Sequence, residues 1–245
     1  MSEKTALMLG DEQDIFRKKD IDVADVAFER YAIKTHFITR GEDYIDIVNH
    51  YASPLYKNGD TVFIAEKIIA ICQDNVIDKD DMKVGFWAKF LSKFVMKTPA
   101  GYSVGNEYKM QAAIQLAGLP RILFAAILSA IGKIFGIRGI FYKVAGNNIA
   151  GLDGFYGEAF DEYSHIGILN PIKPEKVCQE IEDKLGIANA IVDANDLGIE
   201  ILGRSDGVHY SNEQMEKMLR DNPAGQEDEQ TPLILYRPKK ETTTQ

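Results

Sequence analysis

The sequence predicts an α+β fold in which mixed sheets pack against helices. Short apolar runs typical of strands, such as Ile187–Val192, are interspersed with amphipathic stretches typical of helices, such as Pro174–Leu185. These elements follow one another without a regular βαβ repeat. The chain also lacks a GxxxxGK[ST] motif and a GxGxxG motif after a strand. We therefore expect neither a P-loop nor a Rossmann unit.

Composition and charge narrow the class of protein. The chain has 245 residues, of which 45% are hydrophobic and 27% are charged, as in ordinary globular proteins. Its formal net charge of −9 argues against non-specific nucleic-acid binding, which needs a basic surface. A bound nucleotide is still compatible with this charge, because a divalent cation can supply the missing positive charge.

The domain organisation follows from shifts in composition along the chain. Residues 1–30 are rich in charge and are predicted to be partly loose, with a short helix near Val23–Phe28 as the other interpretation. Residues 31–237 are predicted to form one domain, in which 86–146 is a more apolar, helical section. Residues 238–245 form a polar tail.

The first half of the domain is predicted to contain two strands and a helix. Tyr31–Ile38 alternates imperfectly and indicates a strand, and Asp43–Ala52 has helical spacing with acidic residues at its start. Thr61–Cys72 is a nearly continuous apolar run that indicates a buried strand, interrupted by Glu66 and Lys67. These two charges either face solvent where a strand ends or face a site.

The apolar middle section is predicted to supply helices and core residues. Four aromatic residues lie at or beside helical spacing and are predicted to pack in the core, namely Phe86, Trp87, Phe90 and Phe94. Ile122–Gly132 indicates a buried helix, with an interfacial or partner-binding helix as the alternative. It is shorter than the roughly 20 residues that span a bilayer. Ile140–Val144 indicates a short strand.

The C-terminal part is predicted to contain three strands after the Pro174–Leu185 helix, and a further helix that begins at Ser211 with Gln214 in a capping box. The strands are expected at 187–192, 199–202 and 232–237. His165 opens another short strand and is interpreted as a structural histidine. Cys72 and Cys178 fit neither a disulfide framework nor a zinc site, so we expect reduced, buried thiols in a cytoplasmic protein. The N-terminus does not have the pattern of a signal peptide.

Three acidic loops each adjoin an apolar strand, at 147–162, 193–198 and 225–230. The first is rich in glycine and contains Asp153. Glycine lets a backbone approach a ligand closely, and carboxylate and amide oxygens are the ligands that Mg²⁺ and Mn²⁺ prefer. The loops therefore favour carboxylate–metal chemistry, although a polar surface loop is the alternative for each of them.

These segments, taken in order, resemble the coenzyme F-420-0:γ-glutamyl ligases. Six stretches are similar to segments of that family, and they are ITRGED (38–43), VFIAEKIIAI with Lys67, AGLD (150–153), HIGILNPIKPEKVCQEIEDKLG (165–186), IVDANDLG (191–198) and AGQ followed by DEQTPLILYRP. They cover most of the chain. The resemblance implies the family's fold and a homodimer. It also implies GTP-dependent joining of L-glutamate to an acceptor carboxylate through an acyl phosphate, with Mg²⁺ or Mn²⁺ bound.

The resemblance also implies a set of site residues. Lys67 corresponds to a lysine that contacts a phosphate or the acceptor carboxylate, and Asp153 is the main metal candidate and a catalytic residue. The remaining candidates are Asp193 and Asp196 as metal ligands, and Asn147, Asn148, Gly151 and Gln226 around the nucleotide.

The chain departs from the family pattern at two places. Gly154-Phe155-Tyr156-Gly157 follows Asp153 where the family has serine and asparagine, and Asn195 stands at the position of a family aspartate. The departures indicate a divergent member with a different acceptor, for instance a folate or a cell-wall or peptide precursor. The alternative is a homologue that binds a nucleotide or metabolite without ligating it.

Overall fold

The computed structural model describes residues 14–94, 106–137, 139–146, 149, 151–155, 163–195, 198–225 and 230–239. The chain folds into two compact units. Unit 1 combines Met1–Asp74 with Pro171–Gln245, and unit 2 consists of Asn75–Asn170. Helices and strands are mixed in sequence, which confirms the α+β prediction.

The elements of the described residues are as follows. The strands are β1 (Ile15–Val23), β2 (Val26–Ile33), β3 (Thr61–Ala65), β4 (Val76–Asp78), β5 (Asp153–Gly154), β6 (Ile166–Ile168), β7 (Asn189–Asn195), β8 (Gly198–Arg204) and β9 (Leu233–Pro238). The helices are α1 (Tyr44–Tyr51), α2 (Glu66–Cys72), α3 (Phe86–Ser92), α4 (Glu107–Ala117), α5 (Leu119–Ile134), α6 (Ile140–Ala145), α7 (Pro174–Leu185) and α8 (Asn212–Leu219).

Unit 1 is built on a six-stranded sheet in the order β1-β2-β9-β3-β7-β8. The neighbours β3 and β7 are parallel, and the other adjacent pairs are antiparallel. Strand β3 is central, and Val62, Phe63 and Ile64 are at most 1% exposed. Burial on both faces explains why this strand is continuously apolar rather than alternating.

The N-terminal part of the sheet differs from the prediction. Residues 15–33 form an antiparallel hairpin, in place of a partly loose segment with a short helix near Val23–Phe28. Ala24 and Asp25 have φ of 51° and 62°, which is the left-handed backbone that a two-residue hairpin turn requires. The predicted strand at Tyr31–Ile38 is correct only to Ile33, where β2 ends. The many charges of β1 conceal its alternation.

The apolar run at Thr61–Cys72 is two elements instead of one strand. Strand β3 ends at Ala65, and α2 begins at Glu66 and buries six of its seven residues. A short run that is apolar on every side has no periodicity by which a buried strand and a buried helix can be told apart. The prediction of a strand is therefore wrong after Ala65.

The other helices of unit 1 confirm the predicted signals. The Asp43 side chain caps α1 by accepting a hydrogen bond from the Ile45 N–H at 2.7 Å. Helix α7 ends before Gly186, which has φ of 68°. The capping box of Ser211 and Gln214 begins α8. The three predicted C-terminal strands correspond to β7, β8 and β9, with ends shifted by a few residues.

Unit 2 contains a small antiparallel sheet in the order β4-β6-β5 together with α3–α6. Its main cluster of buried residues has small or medium side chains and includes Ala88, Met110, Ala113, Ile122 and Ala125. The strand predicted at Ile140–Val144 is the helix α6. Gly139 at φ 77° and Gly146 at φ 108° bound this helix and isolate its short turn from the neighbouring segments.

The predicted core aromatics of unit 2 are exposed. Phe86, Trp87, Phe90 and Phe94 are 71%, 41%, 43% and 68% exposed, whereas Ala88 and Leu91 of α3 are buried. The predicted helix at Ile122–Gly132 is present within α5, but only Ile122, Ala125 and Gly132 are buried in it. The prediction that this helix is buried is therefore wrong for its outer face.

Among the described residues, no single helix is long and apolar enough to cross a membrane. Helices α4 and α5 taken together have the necessary length and apolar composition, but they are bent by 117° relative to each other.

Candidate functional site

Lys67 lies in unit 1 at the junction where β3 becomes α2. Its Nζ is 2.6 Å from Glu66 Oε1, and the Glu66 side chain is 4% exposed against 24% for Lys67. The ammonium group balances the negative charge of the buried carboxylate, which would be costly to bury without a partner. Glu66 is thus held at the end of the strand, and the Lys67 side chain is the more accessible of the two.

Asp193 lies at the same edge of the sheet as Lys67. Strands β3 and β7 are parallel, with Ala65 opposite Val192, so the carboxyl ends of the two strands lie at the same edge of the sheet. Asp193 follows Val192 directly, and it lies opposite Glu200 of the antiparallel β8. Ligands of α/β sheets commonly bind at such carboxyl ends. The polar segment predicted as a loop at 193–198 is strand as far as Asn195.

A third segment reaches this edge from β9. Because β9 is antiparallel to β3, the residues that precede β9 lie beside the end of β3, and the Ala65 N–H donates to the Pro232 carbonyl at 2.9 Å. The Thr231 hydroxyl donates to the Ala224 carbonyl at 2.5 Å, which ties the end of the third acidic loop to its start. Lys67, Asp193 and Thr231 are therefore carried by three segments that meet at one edge of the sheet.

Four predicted site residues lie outside the described residues. They are Asn147, Asn148, Asp196 and Gln226. Their roles stay predictions.

Asp153 lies in unit 2 on the short strand β5, opposite Ile168 of β6. Its Oδ1 is 3.4 Å from Nζ of Lys109, a residue of α4 whose side chain is 2% exposed. The Asp153 side chain is 28% exposed. A carboxylate therefore reaches partial solvent exposure while a buried ammonium group lies behind it.

Glycines shape the backbone around Asp153. A Cβ on Gly154, which has φ of +80°, would lie 2.2 Å from the Ile166 carbonyl oxygen. A Cβ on Gly167 would lie 2.4 Å from Cε2 of Phe155. Only glycine fits at these two positions, so the Gly-Phe pair that departs from the family pattern is a packed element of the β5–β6 ladder.

Gly151 forms a cradle for the side chain of Asn170. A Cβ on Gly151 would lie 1.9 Å from Asn170 Oδ1. This amide oxygen is buried, and no hydrogen-bond partner for it exists among the described residues. Buried polar atoms are normally satisfied, so an oxygen in this state next to the Asp153 turn is a candidate cation ligand.

The donors of this turn suit a hard divalent cation. Asp153 supplies a carboxylate and Asn170 an amide oxygen, which are the ligand types that Mg²⁺ and Mn²⁺ prefer. The described residues hold no group of three or more His, Cys, Asp and Glu side chains placed to bind a metal ion. A metal at Asp153 would thus need amide, backbone or phosphate oxygens, or the residues outside the described ranges.

Two residues of this site were not predicted from the sequence. Lys109 lies three and four positions before Ala112 and Ala113, on the same buried face of α4. The sequence signal for Lys109 is that a lysine occupies a position where the helical spacing predicts a buried apolar residue. Asn170 has no comparable signal, because its role depends on the antiparallel pairing of β5 with β6. His165 is exposed in the turn before β6.

The two cysteines are buried and free, as the sequence predicts. Burial raises the pKa of Cys72 and of Cys178 to about 12. A thiol with this pKa is protonated at neutral pH and is a poor nucleophile. Neither thiol is therefore a candidate nucleophile in the folded chain.

Comparison with known proteins adds to this geometry. The uncharacterised protein MJ1361 of Methanocaldococcus jannaschii is 28% identical to the chain over 165 residues, which are 64% of this chain and 54% of that protein. The chain thus spans about half the length of this curated relative. The model of the F420-0:Gamma-glutamyl ligase family matches residues 32–212, a range that contains Lys67, Asp153 and Asp193. The chain therefore belongs to the F420-0:gamma-glutamyl ligase family.

Proposed function

We propose that the protein is a nucleotide- and divalent-metal-dependent ligase that joins the amine of L-glutamate to an acceptor carboxylate through a γ-glutamyl-type amide. The observation that carries this proposal is the family match over residues 32–212. The meeting of Lys67, Asp193 and Thr231 at one edge of the unit 1 sheet supports it.

The reaction balances in two steps. An oxygen of the acceptor carboxylate attacks the γ-phosphorus of GTP, so that an acyl phosphate forms and GDP leaves. The amine of glutamate then attacks the acyl carbon, the C–O bond to phosphate breaks, and an amide, inorganic phosphate and a proton are released. One GTP is therefore consumed for each amide bond that forms.

Lys67 is assigned to bind either a phosphate or the acceptor carboxylate. Its side chain is partly exposed, and the ion pair with Glu66 restrains the ammonium group at the end of β3. A fixed cation there would orient an anionic group and stabilise the negative charge that develops on it during transfer. The restraint lowers the entropy that the lysine would lose on binding.

Asp153 and Asn170 in unit 2, and Asp193 in unit 1, are assigned as oxygen donors to Mg²⁺ or Mn²⁺. Asp196 completes the proposed metal ligands, and Asn147, Asn148, Gly151 and Gln226 are proposed around the nucleotide. A divalent ion bound by the groups of either unit would neutralise phosphate charge during the transfer. We further propose that the protein is cytoplasmic and forms a homodimer. The sedimentation coefficient of the purified chain tests the homodimer.

A binding-only homologue is the second candidate, and one observation favours it. Lys109 places a cation 3.4 Å from Asp153, and this ammonium group competes with a metal ion for the carboxylate. The protein would then bind a nucleotide or metabolite without ligating it.

Phosphate release separates these candidates. The full chain is incubated with GTP, Mn²⁺, L-glutamate and a panel of carboxylates that includes a deazaflavin, a folate and peptide precursors. We expect phosphate release that requires both glutamate and one of the acceptors. Lys67→Ala and Asp153→Asn should each reduce this release by at least about a hundredfold. Phosphate release that is independent of glutamate would contradict the ligase, and absence of phosphate release with every acceptor would favour the binding-only homologue.

A melting experiment tests the nucleotide and metal directly. Mn²⁺ with GTP should raise the melting temperature of the wild-type chain, because a ligand that binds only the folded state stabilises it. The rise, measured for each variant against its own ligand-free sample, should be lost in Asp153→Asn. A full shift in that variant would remove Asp153 from the metal site.

A further inference from the structure

Helix α5 carries an apolar stripe on its outer face. Phe124, Ile127, Ile131 and Ile134 recur at helical spacing and are 56%, 58%, 47% and 82% exposed. We call these four residues the α5 stripe. The opposite side of the helix supplies Ile122, Ala125 and Gly132 to the buried part of unit 2. The helix thus has an apolar inner face and an apolar outer face.

The same pattern recurs on α3, where Phe86 and Phe90 are stacked with ring centroids 5.9 Å apart and Phe90 contacts Phe94. These rings are exposed, and the helix buries Ala88 and Leu91 instead. Exposed apolar residues are ordinary when they occur singly, but clusters of them mark interaction surfaces. Two helices of unit 2 therefore present such clusters.

The charge of this region is opposite to that of the rest of the chain. Residues 82–152 contain nine lysines and arginines and a single acidic residue, Glu107, so that the stretch has a formal charge of +8. The whole chain has a charge of −9, and the remaining residues therefore carry −17. In α5 itself, Arg121 and Lys133 are exposed near the two ends of the helix, and its 16 residues include no aspartate or glutamate.

An apolar stripe flanked by exposed cations fits an anionic lipid surface. Such a surface attracts Lys and Arg, and the apolar side chains enter the boundary between headgroups and acyl chains. A second copy of the chain fits this face less well, because a two-fold interface would bring the same cations of both copies against each other, and like charges across an interface repel.

We propose that the outer face of α5 is a membrane-binding surface, which inserts the α5 stripe into the headgroup region of an anionic lipid bilayer. Attraction of exposed cations, among them Arg121, Lys133 and Lys143, brings unit 2 to the surface, and burial of the isoleucine and phenylalanine side chains holds it there. Binding therefore requires both negative lipid charge and the stripe.

Vesicle flotation tests this proposal on the full chain without any activity measurement. Vesicles of phosphatidylcholine alone are compared with vesicles that contain equal parts of phosphatidylcholine and phosphatidylglycerol, at about 0.1 M salt. The wild-type chain should float with the anionic vesicles only, and raising the salt should release it. Ile127→Ser with Ile131→Ser should lower the partition coefficient at least about tenfold. Lys133→Gln with Lys143→Gln should lower it at least about fivefold.

Matched controls come from exposed residues of unit 1. Ile172 is 49% exposed, and Lys176 and Lys217 are exposed on α7 and α8. Ile172→Ser, and Lys176→Gln with Lys217→Gln, should float like the wild-type chain. Circular dichroism of every variant checks that the fold is retained.

Several results would overturn the membrane surface. They are absence of flotation with anionic vesicles, equal flotation with both kinds of vesicle, and flotation of the double isoleucine variant at the wild-type level. A dimer in sedimentation experiments that Ile127→Ser with Ile131→Ser dissociates would assign the stripe to contacts between copies of the chain instead.

Discussion

Lys109 Nζ lies 3.4 Å from Asp153 Oδ1 in unit 2, and Lys109 is almost completely buried. The carboxylate most important to the predicted metal site thus already has a cation beside it. In the proposed ligase the ammonium group and a metal ion would share Asp153, whereas in the binding-only homologue the lysine would be the cation beside it. The contribution of this ion pair to the stability of the fold can be measured separately from any effect on activity.

A double-mutant cycle on Lys109 and Asp153 measures the pair. Asp153→Asn should lower the free energy of unfolding, because the buried ammonium group then loses a carboxylate partner. Lys109→Met should restore part of that loss in the Asp153→Asn background, since the methionine fills a similar volume without charge. We expect a coupling energy of about 1 kcal/mol or more from urea unfolding of the four proteins.

A coupling energy of zero within error would contradict this prediction. It would mean that the two charges do not stabilise each other in the folded chain, in which case Asp153 is held by its backbone alone. The pair Lys184 and Glu180, which lies on the surface of α7 at 2.8 Å, serves as the control cycle. An exposed pair of this kind should give a clearly smaller coupling energy, because solvent screens its charges.

The sequence predicts some parts of this arrangement well, for reasons that are local. Pro174 and Gly186 bound α7, and Ser211 with Gln214 begins α8, because capping depends only on neighbouring residues. The charges of Glu66 and Lys67 interrupt an apolar run in the sequence, and β3 ends directly before them, which is one of the two alternatives that the sequence leaves open.

Other parts depend on contacts that local patterns do not encode. The parallel pairing of β3 with β7 joins residues far apart in the chain, and it is this pairing that puts Lys67 and Asp193 at one edge. The spacing of Phe86 and Phe90 shows which side chains share a face of α3, but not that the face points outward. Helical spacing shows which face of a helix is buried only when the opposite face is polar, and α5 is apolar on both faces.

The glycine at position 154 is predicted to be indispensable for unit 2. In Gly154→Ala the new Cβ would lie 2.2 Å from the Ile166 carbonyl oxygen, and φ of +80° is unfavourable for alanine. We expect a loss of about 3 kcal/mol or more in the free energy of unfolding, or a failure of the β5–β6 ladder to form. Urea unfolding and amide hydrogen exchange measure the two effects.

Gly59→Ala is the matched control for this substitution. Gly59 has φ of +95°, but no atom lies within 4 Å of the Cβ position. Its cost should be the backbone strain alone, about 1 kcal/mol. Equal losses for the two variants would show that the close contact with Ile166 is absent from the folded protein.

The two thiols are predicted to be unreactive in the folded chain. Burial raises the pKa of Cys72 and of Cys178 to about 12, so that only a small fraction, on the order of 10⁻⁴, is thiolate at pH 8. Labelling with a disulfide reagent at pH 8 should be at least about a hundredfold slower than in the urea-unfolded chain. Rapid labelling of a sample that retains its native circular dichroism would contradict the buried positions.

Asn189 is predicted to be a major determinant of stability in unit 1. The residue is completely buried, and its Nδ2 donates to the carbonyls of Cys178 and Ile187, both at 2.9 Å. Asn189→Leu would leave these two carbonyls without that donor, at a cost of about 2–4 kcal/mol in the free energy of unfolding. Asn49→Leu on the exposed surface of α1 should change it by less than about 0.5 kcal/mol. Comparable losses in both variants would refute the role of Asn189.

The acid stability of unit 1 should depend on Asp221. The buried Arg30 guanidinium donates to both carboxylate oxygens of Asp221, at 2.6 and 2.8 Å. This hydrogen bonding lowers the pKa of Asp221 below its usual value, against the opposing effect of partial burial. Because the folded-state pKa is the lower one, the stabilisation is present above the unfolded pKa of about 3.9 and disappears as the pH falls through the folded value.

Asp221→Asn should therefore flatten the fall of the unfolding free energy between about pH 5 and pH 2. Half of the Asp221 side chain is exposed, so the loss at pH 7 should be modest, about 1 kcal/mol, and smaller still at high salt. Asp25→Asn in the exposed β1–β2 turn is the control, since asparagine tolerates the positive φ of that position. Urea unfolding of the three proteins across this pH range gives the answer. If the wild-type chain and Asp221→Asn lose stability in parallel, the Arg30–Asp221 pair does not contribute to the pH dependence.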